Sequence, residues 1–144
     1  MLFSDAKGRK VVSTTSAETI AKVAGFVVDP ASRSVVAVEV KKTKDGDVVL
    51  WDDVKGFGED AVTVESDDKI TEAVGDVAVL ADKHHTVLGK RVLSTGGAEL
   101  GSVKDVEFDE ASGTITGIVL DSETAPGNRL IGVGSYAVVI DWSN

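Results

Sequence analysis

Residues 8–12, Gly-Arg-Lys-Val-Val, return in the second half of the chain as residues 89–93, Gly-Lys-Arg-Val-Leu. A second pair of stretches repeats in the same order: residues 29–35, Asp-Pro-Ala-Ser-Arg-Ser-Val, return as residues 109–115, Asp-Glu-Ala-Ser-Gly-Thr-Ile. Both pairs are separated by about eighty residues, an offset that is too long for a solenoid unit and fits one small domain. The sequence therefore predicts two copies of one module.

The size of the chain limits how such a module can be stable. The 144 residues include no cysteine, so neither disulfides nor cysteine-based zinc sites are available to staple a small fold. A unit of roughly 60 to 70 residues buries only about 60% of the surface that its unfolded chain exposes, and it is marginally stable alone. We therefore expect the two copies to pack on each other and to share apolar surface.

Composition and turn signals predict strands in both copies. Valine and glycine are frequent, which is typical of β-structure with tight turns. We expect strands at 23–28 and 35–40 to form an antiparallel hairpin around the turn that contains Pro30. The counterpart in the second copy is the pair of stretches 103–108 and 114–120, so two different turn sequences close equivalent hairpins.

One stretch between the copies differs in character. Ser66, Asp67 and Asp68 offer side chains that can cap a helix, and apolar residues spaced three or four apart follow them. This pattern predicts a short amphipathic helix over residues 70–83, weakened by Gly75 in its middle. We expect the helix to link the two copies and to lie across the seam between them.

The repeated motifs, together with Trp-Asp-Asp-Val-Lys-Gly-Phe-Gly at residues 51–58, resemble those of the PRC-barrel family, small β-barrels named for the photosynthetic reaction centre. In the second copy the similarity extends over residues 88–93 and 99–106. The resemblance implies an all-β fold with one short linker helix: two tandem small antiparallel β-barrels of the PRC-barrel type, packed as a pseudo-two-fold pair. The implied domains are a first barrel at 1–66, a helical linker at 67–86 and a second barrel at 87–144.

Barrels of this family are known in the reaction-centre H subunit and in ribosome maturation factors, and what these settings share is protein binding without catalysis. The resemblance therefore implies a non-catalytic protein–protein interaction or scaffold module that is not an enzyme and has no cofactor. Two alternatives stay open: a regulatory domain that binds a small molecule or metal at the seam between the barrels, and a protein binder linked to ribosome maturation. The chain departs from the H subunit because no apolar run approaches the roughly 20 residues that cross a bilayer.

No motif in the sequence carries chemistry by itself. The Gly-rich stretches do not open a helix in a strand–helix unit, as phosphate loops do, and the acidic runs lack the spacing of a calcium loop. We therefore expect no catalytic, cofactor-binding or metal-binding residues. The repeated residues are interpreted as structural, so a function is sought among the unrepeated ones. The candidates for protein contact are Lys41, Lys42, Lys44, His84, His85 and Trp142.

Charge indicates the class of partner. The net charge is −9, with nine Lys and Arg against eleven Asp and Glu in residues 1–66, and six against thirteen in residues 67–144. An acidic chain repels phosphate backbones, so we expect protein partners of unknown identity and no direct nucleic-acid binding. The basic clusters at 7–10 and 41–44 are interpreted as a solvated strand end and a hairpin tip. With neither a targeting segment nor membrane insertion expected, we predict a cytoplasmic protein, either a monomer with pseudo-dimeric barrels or a homodimer.

Overall fold

A computed structural model describes residues 1–82 and 85–142. The first half of the chain is one helical turn followed by six strands, and buried valines alternate with more exposed residues along most of them. Alternation of this kind places one face of each strand in the core. The elements are α1 (Phe3–Ala6), β1 (Lys10–Ser13), β2 (Thr19–Asp29), β3 (Ser34–Thr43), β4 (Gly46–Leu50), β5 (Val54–Phe57) and β6 (Ala61–Val64).

The segment that joins the halves is only partly helical, which corrects the prediction of a helix over 70–83. Its described residues contain a 3₁₀ turn, a two-residue strand β7 (Ile70–Thr71) and a helix α2 (Gly75–Leu80). Lys83, the last residue of the predicted helix, lies outside the described residues. Ile70 faces Val49 across the pairing of β7 with β4, and it is 2% exposed. Gly75 begins the helix instead of interrupting it. No helix among the described residues is long and apolar enough to cross a lipid bilayer.

The second half repeats the arrangement with seven short strands. They are β8 (Arg91–Ser94), β9 (Glu99–Ser102), β10 (Asp105–Phe108), β11 (Ile115–Val119), β12 (Thr124–Pro126), β13 (Leu130–Val133) and β14 (Val138–Ile140). The two predicted hairpins are confirmed as β2 with β3 and β10 with β11, both antiparallel. The all-β class is confirmed as well, since the described residues form three sheets and only short helices.

Both halves pair their strands in the same pattern. β1 runs parallel to β6 and antiparallel to β2, and β8 runs parallel to β14 and antiparallel to β9. The run β2–β3–β4 corresponds to β10–β11–β12. The repeated glycine motif closes the same turn twice, because the Gly8 amide donates to Val23 O at 2.7 Å and the Gly89 amide donates to Val103 O at 2.9 Å. The repeat in the sequence is therefore also a repeat of hydrogen bonding.

The two halves meet through reciprocal backbone hydrogen bonds. The Val35 amide donates to Gly113 O at 2.8 Å, and the Ile115 amide donates to Arg33 O at 2.9 Å. Between these bonds an isolated antiparallel bridge joins residue 34 to residue 114. Residues 34 and 114 are counterparts in the repeat, eighty positions apart. The two hydrogen bonds are counterparts of each other as well, because residues 33 and 35 correspond to residues 113 and 115. A two-fold axis through the bridge would produce this exchange.

The halves also share one hydrophobic core, as expected from the small size of each copy. A continuous cluster of buried residues contains side chains from both halves. At its centre Phe108 of the second half lies 5.2 Å from Phe26 and 5.4 Å from Phe57 of the first, measured between ring centroids. Trp51 completes this aromatic group, 6.1 Å from Phe108. Pairs with such spacings add attraction to the burial of apolar area.

Helix α2 covers the outer face of the first half and does not lie across the seam, contrary to expectation. Its apolar residues pack on a small buried cluster of Val27, Ala37 and Val48. By strand register, Gly117 and Thr124 in β11 and β12 are the counterparts of Ala37 and Val48. The outer face of the second half has no comparable apolar surface at these positions. The helix packs where apolar area is available to bury.

Candidate functional site

The predicted contact residues are distributed over separate places. Lys41 and Lys42 are exposed at the end of β3, and Lys44 is exposed in the turn before β4. His85 lies in the linker beside a cavity, and His84 lies outside the described residues. Trp142 is half-buried against the shared core at the C-terminal end. The structure therefore does not combine these residues into one site, and two distinct features emerge around them.

The first feature is a row of lysines across three neighbouring strands. Lys10 of β1 is directly opposite Lys22 of β2, and both are exposed. On the other side of β2, Val23 faces Val40 of β3. Lys22 and the exposed Lys41 follow this last pair of the β2–β3 ladder, at the same end of the two strands. We call Lys10, Lys22 and Lys41 the basic face.

Sequence reasoning found only part of this basic face. The sequence makes Lys41 a candidate contact residue and predicts that Lys10 belongs to a solvated strand end, but it gives no signal at Lys22. Lys22 is a single cation within an apolar strand, and nothing near it in sequence indicates its neighbours. The signal is the strand pairing, because side chains opposite one another on adjacent strands lie only about 4.5 to 5.5 Å apart at Cβ.

A tightly held hairpin presents the lysines next to the basic face. In the β3–β4 turn, Thr43 Oγ1 donates to Gly46 O at 3.0 Å and accepts the Asp45 amide at 3.1 Å. Gly46 has a φ of +137°, and a Cβ there would lie 2.2 Å from the backbone of Thr71 in β7. The close approach of β7 thus requires a glycine, and it fixes the hairpin that carries Lys44.

The second feature is a cavity of about 200 Å³ between α1, β2, β3 and the linker. Its apolar wall includes Phe3 and Phe26, whose rings stack at a centroid distance of 4.3 Å. Glu39 of β3 and His85 of the linker contribute polar groups to its lining. Burial, and after it the negative charge of Asp47, raises the pKa of Glu39 above its usual value. The free cavity therefore disfavours the charged carboxylate.

His85 is held by its backbone more than by its ring. Its amide donates to Asp82 O at 2.8 Å. The ring atom Nδ1 is enclosed and has no hydrogen-bond partner among the described residues. A buried polar atom without a partner is uncommon in folded proteins and leaves one hydrogen-bonding position of the ring unused. Sequence reasoning singled out His85 but gave no reason to connect it with Glu39, which precedes it by 46 positions.

At the C-terminal end, Trp142 lines a shallow depression with Pro126, Arg129 and Asp141. Arg129 and Asp141 form a salt bridge of 3.9 Å between exposed side chains. Exposed pairs at this distance contribute little to stability. Among residues 1–82 and 85–142, no three His, Asp or Glu side chains come together as a metal site.

No curated protein matches the chain. A family model does match, over residues 81–143, and it is the model of the PRC-barrel domain. The matched segment contains all seven strands from β8 to β14, with the parallel pairing of the first and last strands described above. The second half of this chain is therefore a PRC-barrel domain.

Proposed function

We propose that the protein is a non-catalytic interaction module made of two PRC-type barrels, residues 1–66 and residues 87–144, joined by a linker at 67–86. The matching strand pairing in the two halves supports a second PRC-type barrel before the one that the family model covers. The reciprocal hydrogen bonds between residues 33–35 and 113–115 support an internal pair. A monomer is then expected, because each barrel already has its partner within the chain.

The basic face carries the proposal that this module binds proteins. Lys10 and Lys22 are directly opposite each other, and like charges in that position destabilise a sheet by up to about 1 kcal/mol. No salt bridge among the described residues involves Lys10, Lys22 or Lys41. The chain holds 24 Asp and Glu residues, yet within residues 1–82 and 85–142 none forms an ion pair with this row. An acidic partner would relieve the repulsion.

The spacing of the basic face indicates what kind of acidic segment fits. Neighbouring strands lie about 4.8 Å apart, so three lysines on three strands span roughly 10 Å. Carboxylates three or four residues apart on a helix lie about 5 to 6 Å apart, which is a compatible repeat. The attraction is solvent-exposed and falls off over a Debye length of about 8 Å at physiological salt. Binding should therefore weaken as salt concentration rises.

Affinity purification with mass spectrometry, using the intact chain and two charge-reversed variants, tests this proposal. Lys22→Glu reverses the central charge of the basic face. Lys55→Glu makes the same change in net charge at an exposed position of β5, outside the basic face. We expect a salt-sensitive protein partner that is retained by Lys55→Glu and lost by Lys22→Glu.

Two results would contradict the proposal. One is a partner that both variants retain equally at low salt, which would place the binding surface elsewhere. The other is a chain that captures no protein and turns over a small substrate, which would make it an enzyme. The folding of Lys22→Glu is verified by circular dichroism, and removing the Lys10–Lys22 repulsion should leave its stability unchanged or slightly higher.

A further inference from the structure

The cavity beside α2 has properties that the protein-binding role does not use. Its volume is about 200 Å³. Apolar cavities of about 150 Å³ hold a benzene molecule, so this one is large enough for a substituted aromatic ring. The stacked rings of Phe3 and Phe26 provide a flat apolar wall for such a ring. Ala24, Gly25 and Phe26 of β2 form another part of its lining.

Glu39 is the polar group that such a cavity leaves unsatisfied. Its side chain makes no hydrogen bond or salt bridge within the described residues, although it is more than half buried. Opposite it, Gly25 has no side chain, and a Cβ there would lie 3.2 Å from Glu39 Oε1. The absence of a side chain at residue 25 therefore lets the carboxylate lie close against the backbone of β2. A ligand group in the cavity that reaches this carboxylate would contact oxygen atoms that no described residue uses.

The charges around the cavity favour a cation over an anion. Glu39 lines the cavity, and Asp47 is close enough to act on the charge of Glu39. Lys7 is the one cation among the described lining residues. An ammonium group on Glu39 would offset the repulsion between the Glu39 and Asp47 carboxylates.

His85 provides a second hydrogen-bonding group. Its Nδ1 has no hydrogen-bond partner among the described residues. In the tautomer with the proton on Nε2, Nδ1 accepts a hydrogen bond. An ammonium group has three N–H donors, enough to serve Glu39 and His85 together. We propose that this cavity binds a small aromatic primary amine, with the ammonium group on Glu39 and the ring between Phe3 and α2.

The test uses benzylamine as the probe, with benzyl alcohol as its uncharged counterpart, in protein-observed NMR titrations of the intact chain. A ligand with about eight non-hydrogen atoms is expected to bind with roughly millimolar affinity, well below the ceiling for the best small ligands. We expect benzylamine to shift the amide resonances of Ala24, Gly25 and Phe26, and benzyl alcohol to bind at least about tenfold more weakly, since a charge-assisted hydrogen bond is roughly twice as strong as a neutral one. Glu39→Gln should reduce benzylamine affinity by a similar factor. The matched control Glu59→Gln, an exposed carboxylate in the β5–β6 turn, should leave it unchanged.

Three results would overturn the inference. Absence of shifts at residues 24–26 would mean that the cavity takes no ligand of this class. Equal binding of the amine and the alcohol would mean that the charge is not recognised. Equal binding by Glu39→Gln and the intact chain would place the ammonium group away from Glu39. Because Gln has nearly the shape of Glu and removes a partly buried charge, folding of this variant is not at risk.

Discussion

Replacing Gly113 with alanine should destabilise the protein by about 2 to 5 kcal/mol, because the seam leaves no room for one methyl group. Gly113 has a φ of +80°, and a Cβ there would lie 2.9 Å from Trp51 Cε2 and 3.1 Å from Val35 O. The left-handed conformation costs a residue with a side chain about 1 to 2 kcal/mol. Inserting a methyl into a tight core costs about 1 to 3 kcal/mol more.

Gly97→Ala separates the two costs. Gly97 has a φ of +87°, nearly the same conformation, but no atom lies within 4 Å of the position of its Cβ. This variant should lose only the conformational part, about 1 to 2 kcal/mol. The difference between the two variants is therefore the packing cost at the seam, about 1 to 3 kcal/mol.

Equilibrium urea unfolding followed by far-UV circular dichroism measures the free energy of unfolding of both variants. The two free energies can be compared if their dependence on urea concentration has the same slope. The packing cost should shrink when Trp51 is shortened, so Gly113→Ala in a Trp51→Leu background should lose at least about 1 kcal/mol less than in the intact chain. If Gly113→Ala and Gly97→Ala are equally destabilised, the two halves do not pack at Trp51 and Gly113 as described.

Three further outcomes follow from single side chains. Folding raises the pKa of Glu39, so the folded state favours the protonated carboxyl. This contribution to the free energy of unfolding is present below the unfolded pKa of 4.5 and is lost as pH rises through the folded pKa. Glu39→Gln should therefore raise Tm in calorimetry near neutral pH and change it little in acid; an equal change at both pH values would show that ionisation is not the cause. Ile70→Ala should cost about 2 to 5 kcal/mol, because Ile70 is buried in β7, whereas Val79→Ala, at a position 60% exposed in α2, should stay within about 0.5 kcal/mol of the intact chain in urea unfolding. Ser94→Ala should cost about 0.5 to 1.5 kcal/mol by the same assay, because Ser94 Oγ accepts the Ala98 amide at 3.1 Å; an unchanged midpoint would show that this turn is held without it.

The features that the sequence predicts well depend on residues that are close together in the chain. The turn sequences beginning at Asp29 and Asp109 each fix a hairpin locally, through side-chain bonds from the aspartate to the amides of Ala31 and Ala111. The repeat then predicts that the second copy does the same. Shared burial follows from the size of each copy, since neither half has enough core of its own.

The features that sequence missed depend on partners distant along the chain. Ile70 fits a helical spacing with the apolar residues that follow it, but pairing with β4 buries it more completely than a surface helix would. Periodicity cannot identify that partner. Likewise, nothing in sequence indicates that Lys22 is opposite Lys10, or that Glu39 and His85 line one cavity. Register and packing bring these groups together, so the basic face and the cavity emerge only in three dimensions.

The shared core is the feature on which the internal barrel pair depends, and native-state amide hydrogen exchange measures it without any substitution. The most protected amides of β2 and β3 in the first half, and of β10 and β11 in the second, are compared at increasing denaturant concentration. If one core holds both halves, these amides should exchange with the same free energy, equal to that of global unfolding. Exchange from one half at a free energy lower by about 2 kcal/mol or more would show that it opens alone, and would contradict a shared core.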